Sequence, residues 1–155
     1  MEKVLVSACL LGEPVRYNGA AATSEDPVLA RWTREGRIVS FCPEVAGGLG
    51  TPRPRAARQA LRVVTDAGAD VTAAFTSGAV LARDTARQHG IRVAILKDGS
   101  PSCGSTYVYD GMFAGRRVPG AGLTTEILRR DGVRVFSEKQ LREAAAYLEE
   151  LEARS

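Results

Sequence analysis

Val4-Leu5-Val6-Ser7-Ala8-Cys9 is a short apolar run that empties, past Leu10-Leu11, into a loop punctuated by Gly12, Pro14, Asn18 and Gly19. Apolar runs of this length, with no alternation of polarity, fit a strand buried on both faces, as strands of parallel sheets are. Cys9 therefore falls at the carboxyl end of a strand predicted over residues 4–8. The same order recurs twice. A strand over 38–41 is followed at once by Cys42, and a strand over 93–96 runs into a loop, 97–107, that contains Cys103.

Helical patterns separate these strands. Residues 26–35 read as a helix with Pro27 in its first turn and Gly36 as its stop. Residues 71–88 carry apolar side chains at helical spacing (Val71, Phe75, Ala79, Ala82, Ala86) and close on His89-Gly90. A short helix over 124–130, a strand over 133–136 and a last amphipathic helix, capped by Ser137 and reaching about residue 152, complete the chain. Residues 62–65 read as a small strand or turn, and 43–54 as a long loop without apolar periodicity. Strands alternating with helices predict an α/β fold, a mainly parallel sheet of about four to five strands covered on both faces.

The 155 residues, 45% of them hydrophobic, suffice for one core, so a single domain over 1–155 is expected. Charged residues make up 25% and nearly cancel to +3, which excludes a disordered polyelectrolyte and a highly basic nucleic-acid coat. The apolar run at residues 4–6 is too short for a signal peptide, and no stretch nears the roughly 18 apolar residues of a membrane span. A cytoplasmic protein without membrane contact is the expectation. An odd count of three widely spaced cysteines cannot be fully disulfide-bonded, leaving buried packing, catalysis or metal binding.

In open parallel α/β sheets ligands bind beyond the carboxyl ends of the strands, where all three cysteines are placed. Cys9, Cys42 and Cys103 would thus bring three thiolates from distant segments to one crevice. Three thiolates leave a four-coordinate metal or a four-iron cluster one ligand short, the mark of a catalytic site. Zinc fits the same count with Asp110 or water as fourth ligand, and three independent buried thiols are the plainer reading. His89, the one histidine, suits a helix C-terminus better than a ligand or base. Glu44, two residues past Cys42, reads either as an exposed loop carboxylate or as an acid/base group beside the metal. Ser100, before Pro101, reads as a turn residue.

Several words of this sequence together resemble one family. They are Ser7-Ala8-Cys9-Leu10-Leu11-Gly12, Arg16-Tyr17-Asn18-Gly19, Cys42-Pro43-Glu44 with Gly47-Gly48-Leu49, Pro52-Arg53, Leu96-Lys97, Ser100-Pro101-Ser102-Cys103-Gly104, Tyr109-Asp110-Gly111-Met112-Phe113 and Gly120-Ala121-Gly122. They resemble a family once classed only as a domain of unknown function, whose characterised members are thiouracil desulfidases. The resemblance covers nearly the whole chain; Asn18 and the segment 55–58 depart from its usual words. It implies a Rossmann-like three-layer domain in which Cys9, Cys42 and Cys103 hold a [4Fe-4S] cluster with one iron not ligated by protein. That iron would take the sulfur of a thiolated pyrimidine, giving uracil and hydrosulfide without net redox change. The same resemblance gives Glu44 and Ser100 catalytic roles.

Arg53, Arg55, Arg58 and Arg62 place four positive charges beside the Cys42 loop with no acid among them. They read as a solvated face or as a weak nucleic-acid contact. Gly47, Gly48 and Gly50 lack the Lys-Ser/Thr of a phosphate loop and read as glycines that let backbone crowd a cluster. Residues 109–111 read as a hairpin turn joining Tyr107 to Phe113. The rival from another class is a non-catalytic cluster or zinc module that contacts RNA or a protein partner through its arginines.

Overall fold

The computed structural model describes residues 1–154. Four strands, β1 (Val4–Ser7), β2 (Ile38–Phe41), β5 (Val93–Leu96) and β8 (Arg134–Ser137), form one parallel sheet in the order β2-β1-β5-β8. The central strands β1 and β5 are buried along their whole length, as their unbroken apolar sequences require. Side chains alternate between two cores. Val4, Val6, Val93 and Ile95 meet Leu29 and Trp32 of α1 (Pro27–Arg34) and the apolar face of α5 (Leu141–Ala153). Leu5, Ala94 and Leu96 meet Ala86 of α3 (Thr72–His89) and Leu128 of α4 (Leu123–Arg130) on the other side. This is the expected three-layer α/β sandwich.

The first sheet strand connects outward to β2 and the third lies on its opposite flank, so the chain reverses its direction of winding between β1 and β5. Such a switch point opens a crevice beyond the carboxyl ends of the strands. Cys9 follows β1, Cys42 follows β2 and Cys103 follows β5, so the topology alone brings all three to that end.

Several boundaries differ from the sequence reading. The first strand stops at Ser7, and Ala8–Leu11 form a single 3-10 turn closed by Gly12 at φ 99°. Residues 43–54 include one helical turn, α2 (Pro43–Ala46), too short to show a period. The segment 62–65 is a true strand, β4 (Arg62–Thr65), paired antiparallel with β3 (Ala56–Gln59). The predicted hairpin turn is wider: β6 (Tyr107–Tyr109) pairs with β7 (Arg117–Pro119), and Phe113 lies in the connecting loop. Ser137 does not cap the last helix but ends β8, where the pairing with Leu96 carries it; its hydroxyl accepts the Lys139 amide. Among the described residues no helix is long and apolar enough to cross a membrane.

Candidate active site

A cavity of about 290 Å³ opens at the switch point, and Cys9, Cys42 and Cys103 all line it. Each thiol is placed by different local chemistry. The Cys9 carbonyl accepts the amides of Gly12 and Ala22, which fixes the turn after β1. Cys42 precedes α2, whose first residue is Pro43, a natural first position because its missing N–H would have no helical partner. Cys103 sits in a loop wound around Asp98. That buried carboxylate accepts the amides of Gly99, Ser105, Thr106 and Tyr107 and the Thr106 hydroxyl. Thr125 of α4 donates its hydroxyl to the Cys103 carbonyl at 3.1 Å.

Burial pushes all three thiols up, Cys9 to about 11 with the neighbouring Cys42 adding to the effect. Opposing pulls come from charges and dipoles at each position: Arg16 and Lys97 at Cys9, the Val45 and Glu44 amides at Cys42, and the Ser7 hydroxyl at Cys103. Ser7 also accepts the Lys97 amide at 3.0 Å, tying the ends of β1 and β5 together beneath the site. Among the described residues no three Cys, His, Asp or Glu side chains converge on a point one metal ion could occupy. Thiolates around a tetrahedral zinc would stand only about 3.8 Å apart at a Zn–S bond near 2.3 Å. The three thiols share a cavity without forming a single-ion cage, so the donor set fits a larger thiophilic group.

Glu44 and Ser100 both line the cavity. The Glu44 carboxyl is raised by burial, against the pull of Arg53, whose guanidinium stands 3.3 Å from Oε2. Ser100 Oγ accepts the amides of Ser102 (2.9 Å) and Cys103 (3.0 Å), a turn role that also aims Cys103 and leaves the hydroxyl proton free to donate. Asp110 is at the rim of the same cavity, with Oδ1 accepting the Met112 amide. His89 lies at the end of α3 before Gly90 at φ 64°, the C-terminal position expected of it.

The four arginines are less free than their spacing suggested. Arg53 donates to the carbonyls of Gly50 and Val15 as well as facing Glu44. Arg58 makes a paired contact with Glu126, Arg62 with Asp70 and Arg55 with Asp66, and Arg55 also stacks 5.3 Å from the Phe113 ring centroid. The acids that engage them lie outside the stretch 53–62, which is why a local charge count missed them.

The glycine readings also change. Gly47 does not crowd a cluster: a Cβ there would sit 2.1 Å from the Ala74 carbonyl oxygen, and one on Gly78 would sit 1.9 Å from that of Pro43. These two glycines let α2 lie directly on α3. Gly122 has a parallel role, where a Cβ would meet the Ser102 carbonyl at 2.4 Å. Sequence reasoning missed Ser7, Asp98 and the Lys97–Glu138 ion pair (2.9 Å) at the cavity edge. Only the Asp98-Gly99 turn dipeptide hinted at any of them.

A parallel α/β sheet that delivers three thiols from three neighbouring strand ends to one cavity defines an α/β protein with a three-thiol pocket. The model of the 2-thiouracil desulfurase family matches residues 4–140, and the chain belongs to that family. It is 38% identical over 148 residues to the uncharacterized protein YbbK of Bacillus subtilis, covering 89% of this chain and 97% of the relative. It is 54% identical to a solved structure described as the [4Fe-4S]-dependent thiouracil desulfidase TudS, with a TM-score of 0.95 over 96% of this chain and 99% of that one.

Proposed function

We propose that this chain is an iron–sulfur-dependent, non-redox desulfidase that converts thiolated pyrimidines of the 2- or 4-thiouracil type to uracil and hydrosulfide. The observation that carries the reading is the convergence of Cys9, Cys42 and Cys103 on one cavity at the switch point. The 54% identity to TudS supports it. Cys9, Cys42 and Cys103 would hold a [4Fe-4S] cluster with one iron not ligated by protein, which when bound supplies a Lewis-acidic site for sulfur. Three thiols that share a cavity without forming a single-ion cage favour this group over zinc.

Thiouracil and water become uracil and hydrogen sulfide: a carbon–oxygen bond forms, the carbon–sulfur bond breaks, and water's protons must be moved. Glu44 handles them. Its Oε2 is engaged by Arg53, so Oε1 takes the proton of the attacking water, and burial lifts the carboxyl toward the range useful for acid–base work. Ser100 Oγ, held by two amides, donates a hydrogen bond to the ring and orients it, keeping its own proton. The free base is favoured over RNA because Arg53, Arg55, Arg58 and Arg62 are each engaged by a carboxylate of the chain itself. Protein prepared without oxygen should release uracil and sulfide one-to-one from 2- or 4-thiouracil with no added reductant. Iron-loaded protein inert on both bases would overturn the reading.

A further inference from the structure

The cavity wall contains three basic side chains, Arg16, Arg55 and Lys97. Two are already spent. Lys97 is paired with Glu138 at 2.9 Å, and Arg55 with Asp66 at 3.3 Å while stacked on Phe113. Arg16 differs: it is partly buried and lines the cavity, yet among the described residues its guanidinium has no carboxylate, hydrogen-bond or aromatic partner. Partly burying an arginine without a partner costs free energy that a ligand can return.

The backbone beneath Arg16 is held firmly. Its amide donates to the Ala20 carbonyl at 3.1 Å and its carbonyl accepts the Gly19 amide at 2.8 Å. On either side, the Val15 carbonyl accepts the Arg53 guanidinium at 2.9 Å and the Tyr17 carbonyl accepts the Arg53 amide at 2.7 Å. The residue that engages Glu44 therefore also pins the loop that carries Arg16. Aromatic walls, Tyr17, Phe41, Tyr107 and Phe113, surround the same space and suit a flat heterocycle.

We propose that Arg16 is the specificity-determining residue for the pyrimidine, its guanidinium fork donating to the exocyclic carbonyl oxygen of the ring. The assignment rests on the desulfidase reading. That oxygen is present in thiouracil and in uracil alike, so a fixed two-pronged cation on it acts in binding substrate and product more than in the chemical step, and holds them more firmly than a single ammonium would. A ring thus clamped presents its sulfur and thiocarbonyl carbon in one orientation.

Steady-state kinetics of the iron-loaded wild type, Arg16→Gln and Arg16→Lys on 2-thiouracil, with uracil as product inhibitor, test this. Loss of a charge-assisted hydrogen bond predicts that Arg16→Gln raises KM and the uracil inhibition constant about ten- to a hundredfold, with a smaller change in kcat. Iron content should stay at the wild-type level, and Arg16→Lys should recover part of the loss. Unchanged KM and uracil inhibition would overturn the assignment, as would lost iron with unchanged KM. So would weakening confined to 4-thiouridine monophosphate with the free base unaffected, since that pattern belongs to a phosphate contact. A wild type inert on thiouracil is a failure of the desulfidase reading instead. Calorimetric binding of uracil to iron-loaded protein then still decides Arg16, because equal binding to wild type and variant, or none to either, overturns it.

Discussion

At the residue scale, Glu44 is the sharpest test of the chemistry, because the change Glu44→Gln preserves shape while removing the ability to accept a proton near neutral pH. General acid–base catalysis contributes roughly a hundred- to ten-thousandfold, and sulfide release should fall within that range with iron content unchanged. A fully loaded variant turning over at the wild-type rate would take Glu44 out of the mechanism.

Asp98 makes a stability prediction of a different kind. Burial opposes its charge, but the Thr106 hydroxyl and the amides of Ser105, Thr106 and Tyr107 outweigh it and lower the carboxyl below its ordinary 3.8. A lowered acid stabilises the fold above its unfolded value, and that contribution is lost as pH falls through the folded one, so the Cys103 loop should loosen below about pH 4. Asp98→Asn sets an amide donor against several others and should cost roughly 3 kcal/mol, read as a lower denaturation midpoint at unchanged slope. An unaltered midpoint would mean the loop has another anchor. These roles were poorly legible in the sequence. Cys9, Cys42 and Cys103 announce themselves because each follows an apolar strand, whereas Ser7 and Asp98 acquire meaning only when β1, β5 and the 98–107 loop are brought together.

At the scale of elements, the seating of α2 on α3 positions Cys42. Gly78→Ala would favour the α3 helix by about 1 kcal/mol on propensity alone. The added Cβ, 1.9 Å from the Pro43 carbonyl oxygen, reverses the sign. We expect net destabilisation of about 1–3 kcal/mol, together with reduced iron uptake because Pro43 adjoins Cys42. A variant as stable and as readily loaded as wild type would show that the glycine contact is dispensable. The long, strongly patterned elements were legible: β1, β2, β5 and α3 lie within a residue of their predicted bounds. Elements of one turn or one short pairing were not. α2 has four residues and no period to detect, and Ala56–Gln59 becomes a strand only because Arg62–Thr65 folds back on it.

At the scale of the whole molecule, strand order does what no local motif does. The cysteines are separated by 33 and 61 positions in the chain, yet the order β2-β1-β5 places their strand ends side by side. A group bound by all three joins loops that the sheet otherwise holds from one side only, so it should stabilise the folded state by linkage. Protein stripped with an iron chelator should melt several degrees lower than the loaded form, since about 1 kcal/mol moves the melting temperature of a 150-residue domain by roughly 2–4 °C. Identical melting curves would place the bound group outside the folded core.

The central claim is that the three cavity-lining thiols hold one four-iron cluster, and metal analysis of protein reconstituted without oxygen tests it most directly. The account predicts about four irons and four acid-labile sulfides per chain, lost in each of Cys9→Ser, Cys42→Ser and Cys103→Ser. One zinc per chain with no labile sulfide, or full iron in any one of the serine variants, would contradict it.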